Sequence, residues 1–229
     1  MSLLVVKELA VRLGGLHILQ GISFEVPPSG VTVLLGRNGV GKTTTLRAIL
    51  GLAPSTGLLE FEGQSIASTK THRLVQGGIG YVPEDRCVFA GLTVAENLRL
   101  AALKEPNYDL VFELFPMLRQ RQKQLAGSLS GGQQQMLSLG RVLLNSHKLL
   151  LIDEPTKGLA PKVVTEVAAA LELVAERVPI LLVEQNLAVV RRLAADAIVL
   201  ASGQVAWTGS AASLLGDASL TKSLLGVGH

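Results

Sequence analysis

The sequence predicts an α/β fold with a mostly parallel central sheet. Short apolar runs alternate with segments of helical spacing, a glycine-rich loop separates a predicted strand from a predicted helix, and a helical block interrupts the pattern of strands. We expect the 229 residues to form a single domain. Its α/β core would comprise residues 1–84 and 148–229, with an antiparallel β side sheet, and its helical subdomain would comprise residues 85–147.

The first third of the chain has the pattern of β structure. Over residues 3–35 apolar and polar residues alternate, and a Pro-Pro-Ser-Gly turn separates two of the runs. A helix is expected over residues 44–50, where a Gly and a Pro soon follow. Residues 58–61 and 79–82 are short apolar runs, and we expect both to join the side sheet.

The middle of the chain is predicted to be helical from Thr93 to about residue 146. Thr93 is followed by Glu96 at the spacing of a capping box, which marks a helix start. The elements expected after this block are a strand over residues 148–153, a helix around 163–174, strands over 179–184 and 197–200, and one or two short helices over 209–229.

Composition disfavours several classes of protein. Hydrophobic residues make up 48% and the mean hydropathy is +0.41, yet no apolar run approaches the roughly 20 residues of a membrane-spanning helix. The net charge is only +3, the basic residues are scattered and aromatic residues are 3%, so we expect no nucleic-acid partner. The N-terminus lacks the basic start of a signal peptide, and the single cysteine, Cys87, excludes an internal disulfide; both favour the cytosol.

The glycine-rich loop fits the phosphate-binding pattern G-x-x-x-x-G-K-[ST]. Backbone N–H groups of such a loop form a nest for anions, and the helix that follows adds partial positive charge. Lys42 can reach the β- and γ-phosphates, and the hydroxyl of Thr43 can ligate Mg²⁺. We therefore predict a triphosphate site formed by Gly36, Arg37, Asn38, Gly39, Val40, Gly41, Lys42, Thr43 and Thr44.

A second candidate site is the acidic pair Asp153-Glu154, which ends the apolar run Leu149 to Ile152. Open α/β sheets bind ligands at the C-terminal ends of their strands. Asp153 can hold Mg²⁺ through water, and Glu154 can act as the general base that activates water. The alternative is that the pair only caps a helix.

The segment Leu129-Ser130-Gly131-Gly132-Gln133 completes a pattern that resembles the ATP-binding-cassette (ABC) ATPases. The resemblance covers essentially the whole chain, with the phosphate loop, a helical insert, this signature segment and the acidic pair in the family's order. It implies a P-loop NTPase core, ATP and Mg²⁺ as ligands, and a head-to-tail pair of ATPase subunits, identical or different. Ser130, Gly131, Gly132 and Gln133 of one subunit would then cover the γ-phosphate held by the other.

Within that family the chain looks most like the ATPases of branched-chain amino acid and urea uptake systems. The motifs that carry this likeness are Leu35 to Lys42, Tyr81-Val82-Pro83-Glu84, Gly158-Leu159-Ala160-Pro161 and Leu182 to Asn186. The resemblance implies an importer subunit for branched-chain amino acids, with urea or short amides as the alternative. Permease subunits would be its partners, a solute-binding protein an indirect one, and the cytoplasmic face of the inner membrane its peripheral location.

Three residues depart from the commonest family pattern. Glu84 stands where most cassettes have a glutamine that senses Mg²⁺ and the membrane partner. Gln185 replaces the usual histidine near the γ-phosphate, and an amide cannot become a cation at neutral pH. Leu13 aligns with an aromatic residue that stacks on adenine, so we expect weak base selectivity; alternatively, Leu13 packs inward. Glu184 is expected to lie near the switch without acting as a second base.

Two rival functions remain open at this level. One is a soluble ABC ATPase that acts on DNA or ribosomes, although the chain is a lone short cassette with a modest charge and no long coiled-coil arms. The other is a clamp that binds ATP with negligible turnover, a reading that Gln185 makes worth testing.

The loop over residues 85–98 resembles the family's contact surface for the permease. Phe89 and Leu92 would line that surface, or else belong to a small core beneath the insert. Cys87 is expected to be a small buried hydrophobic residue. The four histidines show no metal-ligand spacing and are expected at the surface or in turns.

Overall fold

The computed structural model describes residues 2–226, which form two sheets and the helices around them. The strands are β1 (Leu4–Leu13), β2 (Leu16–Val26), β3 (Val31–Leu35), β4 (Ser55–Phe61), β5 (Gln64–Ser65), β6 (Ile79–Val82), β7 (Leu149–Asp153), β8 (Ile180–Val183), β9 (Asp196–Ala201) and β10 (Gln204–Ser210). The α-helices are α1 (Lys42–Ile49), α2 (Thr71–Gln76), α3 (Val94–Ala101), α4 (Tyr108–Leu114), α5 (Pro116–Gln120), α6 (Gly131–Leu143), α7 (Pro161–Ala175), α8 (Leu187–Leu193), α9 (Ala211–Gly216) and α10 (Ala218–Leu225).

The larger sheet has six strands in the order β10-β9-β3-β8-β7-β6. Neighbouring strands are parallel except for β10, which runs antiparallel to β9. Strand β3 lies inside the sheet, and all five of its residues are buried. Strands covered on both faces read as continuous apolar runs, which is the pattern seen for β3, β7 and β8. The predicted mostly parallel α/β fold is confirmed.

Alternate residues of the large sheet face two separate cores. Val33 and Leu35 pack with residues of α3 to α7, whereas Leu34 packs with α1 and the smaller sheet. Strand β7 divides in the same way, with Leu150 on the helical face and Leu151 on the other. Because side chains alternate between the two faces of each strand, the sheet is packed between two apolar layers.

The smaller sheet is antiparallel in the order β2-β1-β4-β5, as predicted for a side sheet. The prediction was wrong for Ile79–Val82. This strand pairs in parallel with β7 at the edge of the large sheet, with Ile79 opposite Leu149 and Val82 opposite Ile152. Its close fit depends on Gly80, where a Cβ atom would lie 2.7 Å from a methyl group of Leu150.

Helices α3 to α6 form an insert between β6 and β7. The predicted capping box is present, because Thr93 accepts a hydrogen bond from the Glu96 amide and the Glu96 carboxylate accepts one from the Thr93 amide. Residues 83–93 lead from the C-terminal end of β6 into the insert, and residues 144–148 return to the N-terminal end of β7. Among residues 2–226 no helix is long and apolar enough to cross a membrane.

The structure contains elements that the sequence pattern did not single out. Strand β10 and the short helices α2 and α8 were not predicted. Strand β10 is mostly exposed and polar, so its sequence lacks a clear apolar alternation. Helices α9 and α10 match the expected short helices, while the last three residues of that prediction, including His229, lie outside the described residues.

Candidate functional site

The phosphate loop connects β3 to α1 and depends on glycine at both ends. Gly36 has φ +146° and Gly41 has φ +107°, conformations that other residues rarely adopt. A Cβ atom at Gly36 would lie 2.4 Å from the carbonyl oxygen of Leu200, and one at Gly41 would lie 2.5 Å from a methyl group of Leu19. The loop can therefore approach Leu200 and Leu19 this closely only because Gly36 and Gly41 have no side chain.

Lys42 curls back over the loop at the first turn of α1. Its side chain is only 5% exposed, and Nζ donates to the carbonyl oxygens of Gly36 at 2.9 Å and Arg37 at 3.1 Å. The same Nζ lies 3.6 Å from Oε1 of Glu154. Asn38 and Gly39, by contrast, are exposed at the crest of the loop. The buried ammonium group of Lys42 is thus held against the backbone of a loop whose outer residues are open to a ligand.

Asp153 and Thr43 meet at the C-terminal end of β7. The Thr43 hydroxyl donates to Oδ1 of Asp153 at 3.2 Å. Asp153 is fully buried, and its Oδ2 has no hydrogen-bond partner among the described residues. Burial raises the pKa of Asp153 to about 6, an effect that the Thr43 hydrogen bond opposes.

These two residues fit a divalent cation. A carboxylate and a hydroxyl are hard oxygen donors of the kind that Mg²⁺ prefers, and the unpartnered Oδ2 can accept a metal-bound water. Over residues 2–226 there is no cluster of three or more His, Cys, Asp or Glu side chains that could hold a metal by themselves.

Glu154 follows Asp153 in a left-handed conformation, with φ +43°. Its side chain is 6% exposed, and Oε1 faces Lys42 and accepts a hydrogen bond from Nε2 of Gln185. Nε2 of Gln185 also lies 2.8 Å from Oδ1 of Asn38, so this amide bridges the acidic pair and the phosphate loop. The alternative that the acidic pair caps the next helix is wrong, because Ala160 occupies the N-cap of α7.

Glu184 is buried beside this group but has its own partners. Its Oε2 accepts a hydrogen bond from Thr156 at 2.7 Å, and its Oε1 accepts from the amides of Gln185 and Asn186 at 2.7 and 2.9 Å. Both carboxylate oxygens are thus engaged in fixing the turn between β8 and α8.

Glu84 lies on the connection that follows β6 and is half exposed. Its Oε1 lies 2.5 Å from Nζ of Lys157, and the same Nζ is 3.2 Å from Oε2 of Glu154. Sequence reasoning missed Lys157 altogether. The available signal was a lysine three residues after the acidic pair's glutamate, in the turn before α7.

The signature segment lies at the start of α6. Ser130 is the N-cap, and its hydroxyl accepts from the Gln133 amide while the Gln133 side chain accepts from the Ser130 amide. A Cβ atom on Gly131 would lie 2.9 Å from the Arg86 guanidinium, and one on Gly132 would lie 2.8 Å from Val163. Within the described part of the chain no hydrogen bond joins this segment to the phosphate loop.

Leu13 ends β1 at the tip of the β1–β2 hairpin, opposite Leu16. Its side chain is 41% exposed, so the alternative that Leu13 packs inward is wrong. It presents an apolar surface to solvent and has no ring that could stack on a base.

The loop after Glu84 differs from expectation at one residue. Cys87 was predicted to be buried, but it is exposed, with Sγ 3.0 Å from Oδ1 of Asp85 and φ +49°. The reason is that the loop runs over the surface here. Phe89 is also exposed, at 49%, and the Arg141 guanidinium lies 4.9 Å from the centre of its ring.

The three histidines within residues 2–226 belong to no group of side chains that could hold a metal ion. His17 and His72 are exposed, as expected for surface residues. His147 is half-buried, and its Nε2 lies 2.9 Å from the carbonyl oxygen of Val142. Desolvation lowers the pKa of His147.

The family profile described as ABC transporter matches residues 19–157. The chain belongs to the ABC transporter family, as an ATP-hydrolysing cassette, and it binds ATP.

Within the family, the chain is similar to two branched-chain amino acid transport ATP-binding proteins and to a solved ATP-binding cassette. The chain is 37% identical to the "High-affinity branched-chain amino acid transport ATP-binding protein BraG" of Pseudomonas aeruginosa, with 93% of this chain and 95% of that protein covered. It is 36% identical to the "Probable branched-chain amino acid transport ATP-binding protein LivF" of Archaeoglobus fulgidus, over 93% and 94%. A solved nucleotide-free ATP-binding cassette from an ABC transporter superposes with a TM-score of 0.83 at 25% identity, covering all of both chains.

Proposed function

We propose that this chain is the energy-coupling ATPase subunit of an importer for branched-chain amino acids. The likeness to two transport proteins of that name, over more than nine-tenths of each chain, supports the choice of solute. The observation that carries the chemistry is the buried carboxylate of Glu154, held next to Lys42 at the mouth of the phosphate loop.

The proposed reaction is attack of water on the γ-phosphorus of ATP. Glu154 accepts a proton from the water, a new O–P bond forms, and the bond between the γ-phosphorus and the bridging oxygen breaks to release ADP. Lys42 leaves its carbonyl partners and binds β- and γ-phosphate oxygens. Gln185 orients the water through its amide, since it already contacts Glu154 and Asn38.

Asp153 and Thr43 would hold Mg²⁺ in this scheme. When bound, the cation neutralises charge that develops on the phosphate oxygens. Glu84 would contribute through its free Oε2, because Oε1 is paired with Lys157. Leu13 would provide apolar contact to the base.

The proposed active form is a head-to-tail pair of ATPase subunits, identical or different. Ser130 caps a helix whose first two residues, Gly131 and Gly132, are partly exposed, and their amides would form a second anion nest. Since this segment has no hydrogen bond to the phosphate loop within residues 2–226, we infer that it serves the site of the second subunit.

The proposed partners in the membrane are permease subunits, which would contact the surface over residues 85–98. Phe89 is exposed there, and the exposed side chains of Leu52, Leu100 and Leu103 add apolar area nearby. A solute-binding protein would act only through the permease, and the chain would lie peripherally on the cytoplasmic face of the inner membrane.

Two experiments test the proposal. Glu154→Gln should reduce ATP turnover by about 10²–10⁴-fold with nucleotide binding retained, whereas Glu172→Gln, which alters an exposed ion pair, should not. Normal turnover of the Glu154 variant would show that Glu154 is not the general base.

The second experiment concerns the solute. Proteoliposomes that contain this chain and co-purified permease subunits should accumulate labelled leucine, isoleucine and valine only with ATP inside and solute-binding protein outside. Accumulation of labelled urea instead would contradict the proposed solute.

A further inference from the structure

Lys157 joins two carboxylates that lie far apart in the sequence. It sits in the turn between β7 and α7, with its amide bonded to the carbonyl oxygen of Glu154 at 3.2 Å. Its Nζ lies 2.5 Å from Oε1 of Glu84 and 3.2 Å from Oε2 of Glu154. One ammonium group therefore bridges the connections that follow two neighbouring strands, β6 and β7.

This bridge differs from an ordinary surface ion pair. Lys157 is 53% exposed, but Glu154 is 6% exposed, so one end of the bridge is buried. Lys148 and Glu62 form a pair of similar length, 2.6 Å, at the opposite end of β7, and both of those side chains are exposed. Exposed pairs contribute little to stability, whereas the contact with Lys157 constrains a carboxylate that is almost fully buried.

The two oxygens of Glu154 have different surroundings. Oε1 faces Lys42 and Gln185, and both of those side chains also contact the phosphate loop. Oε2 is the oxygen held by Lys157, at 3.2 Å. Fixing Oε2 fixes the rotation of the carboxylate, and with it the direction in which Oε1 points.

We propose that Lys157 is a positioning residue for ATP hydrolysis: it anchors Oε2 of Glu154 against Glu84 and so keeps Oε1 directed at the phosphate loop. The inference rests on the proposed role of Glu154 as general base. When Lys42 turns toward phosphate, Oε1 loses one of its contacts and is free to accept a proton from water. Lys157 can keep both contacts throughout, because among the described residues its ammonium group pairs only with Glu84 and Glu154 and not with the phosphate loop.

The test compares Lys157→Met and Lys157→Gln with Lys157→Arg in the purified full chain, by steady-state ATP hydrolysis and by nucleotide binding. Lys148→Met is the matched control, since it removes a lysine of similar exposure from an ion pair at the far end of the same strand. Because Glu154 keeps Lys42 at 3.6 Å when Lys157 is replaced, thermal unfolding of all variants should stay close to that of the parent.

We expect Lys157→Met and Lys157→Gln to lower kcat by about tenfold to a hundredfold, as for a misplaced catalytic group, with KM and nucleotide affinity within about twofold of the parent. Lys157→Arg should recover most of the loss, because its guanidinium can also bridge two carboxylates. Unchanged or increased kcat in both Lys157 variants would overturn the inference, as would a loss confined to KM or nucleotide affinity.

Glu154→Gln, measured in parallel, separates this inference from the proposed function. If Glu154→Gln retains turnover, the general base is wrong whatever the Lys157 variants do. If Glu154→Gln is inactive and the Lys157 variants behave like Lys148→Met, only the positioning role is wrong.

Discussion

Replacement of Asn97 by alanine should destabilise the chain and loosen the proposed permease surface. Asn97 is fully buried on α3. Its Oδ1 accepts from the Phe89 amide at 2.9 Å, and its Nδ2 donates to the carbonyl oxygens of Phe89 and Thr93 at 3.0 Å each, with Leu92 at 3.4 Å. One side chain thus holds the backbone of residues 89–93.

The magnitude follows from those contacts. Three well-formed hydrogen bonds at about 1 kcal/mol each, with a further penalty where a buried backbone group stays unsatisfied and some relief where water enters, give a loss of about 2–4 kcal/mol. At about 2–4 °C per kcal/mol for a chain of this size, the melting temperature should fall by about 4–16 °C.

The assay is urea and thermal unfolding of Asn97→Ala beside Asn107→Ala. Asn107 is exposed and is the N-cap of α4, and among residues 2–226 its side chain accepts a single hydrogen bond, from the Leu110 amide at 3.0 Å. Its loss should therefore cost about 1 kcal/mol. Hydrogen exchange at the Phe89 amide should also accelerate in Asn97→Ala alone. Equal destabilisation by the two variants, with Phe89 exchange unchanged, would refute the assigned role of Asn97.

Three further predictions concern the nucleotide site. Lys42→Ala should abolish ATP binding in a titration, whereas Ser130→Arg should bind ATP like the parent but lose turnover; normal hydrolysis by the Ser130 variant would contradict the shared site. Because burial raises the pKa of Asp153 to about 6, the folded chain without nucleotide or Mg²⁺ holds an unfavourable charge above that pH. Asp153→Asn should therefore raise the melting temperature of the chain at pH 7.5 in EDTA, and this gain should shrink as the pH falls through 6 toward 4. A gain that is the same at every pH would contradict the raised pKa of Asp153. Leu13 offers no aromatic stack, so ATP and GTP should bind within about tenfold of each other, a difference near 1.4 kcal/mol; a hundredfold preference for ATP would be incompatible with that reasoning.

Features that depend on local sequence could be predicted. The phosphate loop is marked by its own spacing of residues, in which Gly36 and Gly41 take positive φ angles that other residues rarely adopt. Asp153 and Glu154 follow directly from an apolar strand, so the sequence alone places them at the C-terminal ends of the parallel strands. The capping box at Thr93 is equally local.

Features that depend on distant partners could not be predicted. The run Ile79–Val82 fits either sheet by its pattern, and only its pairing with β7 decides between them. Lys157 resembles any surface lysine until Glu84 is brought next to it. Gln185 could be named from its resemblance, but its contact with Asn38 spans 147 residues of chain.

The attachment of the helical insert gives the domain two unequal connections. Because β6 and β7 are parallel neighbours, the chain leaves the sheet at the nucleotide end and returns at the opposite end. The outgoing connection begins with Glu84, within reach of the phosphate chemistry through Lys157, whereas the returning connection enters at Lys148, remote from it. A displacement of the insert by a membrane partner would therefore reach the nucleotide site most directly through the outgoing connection.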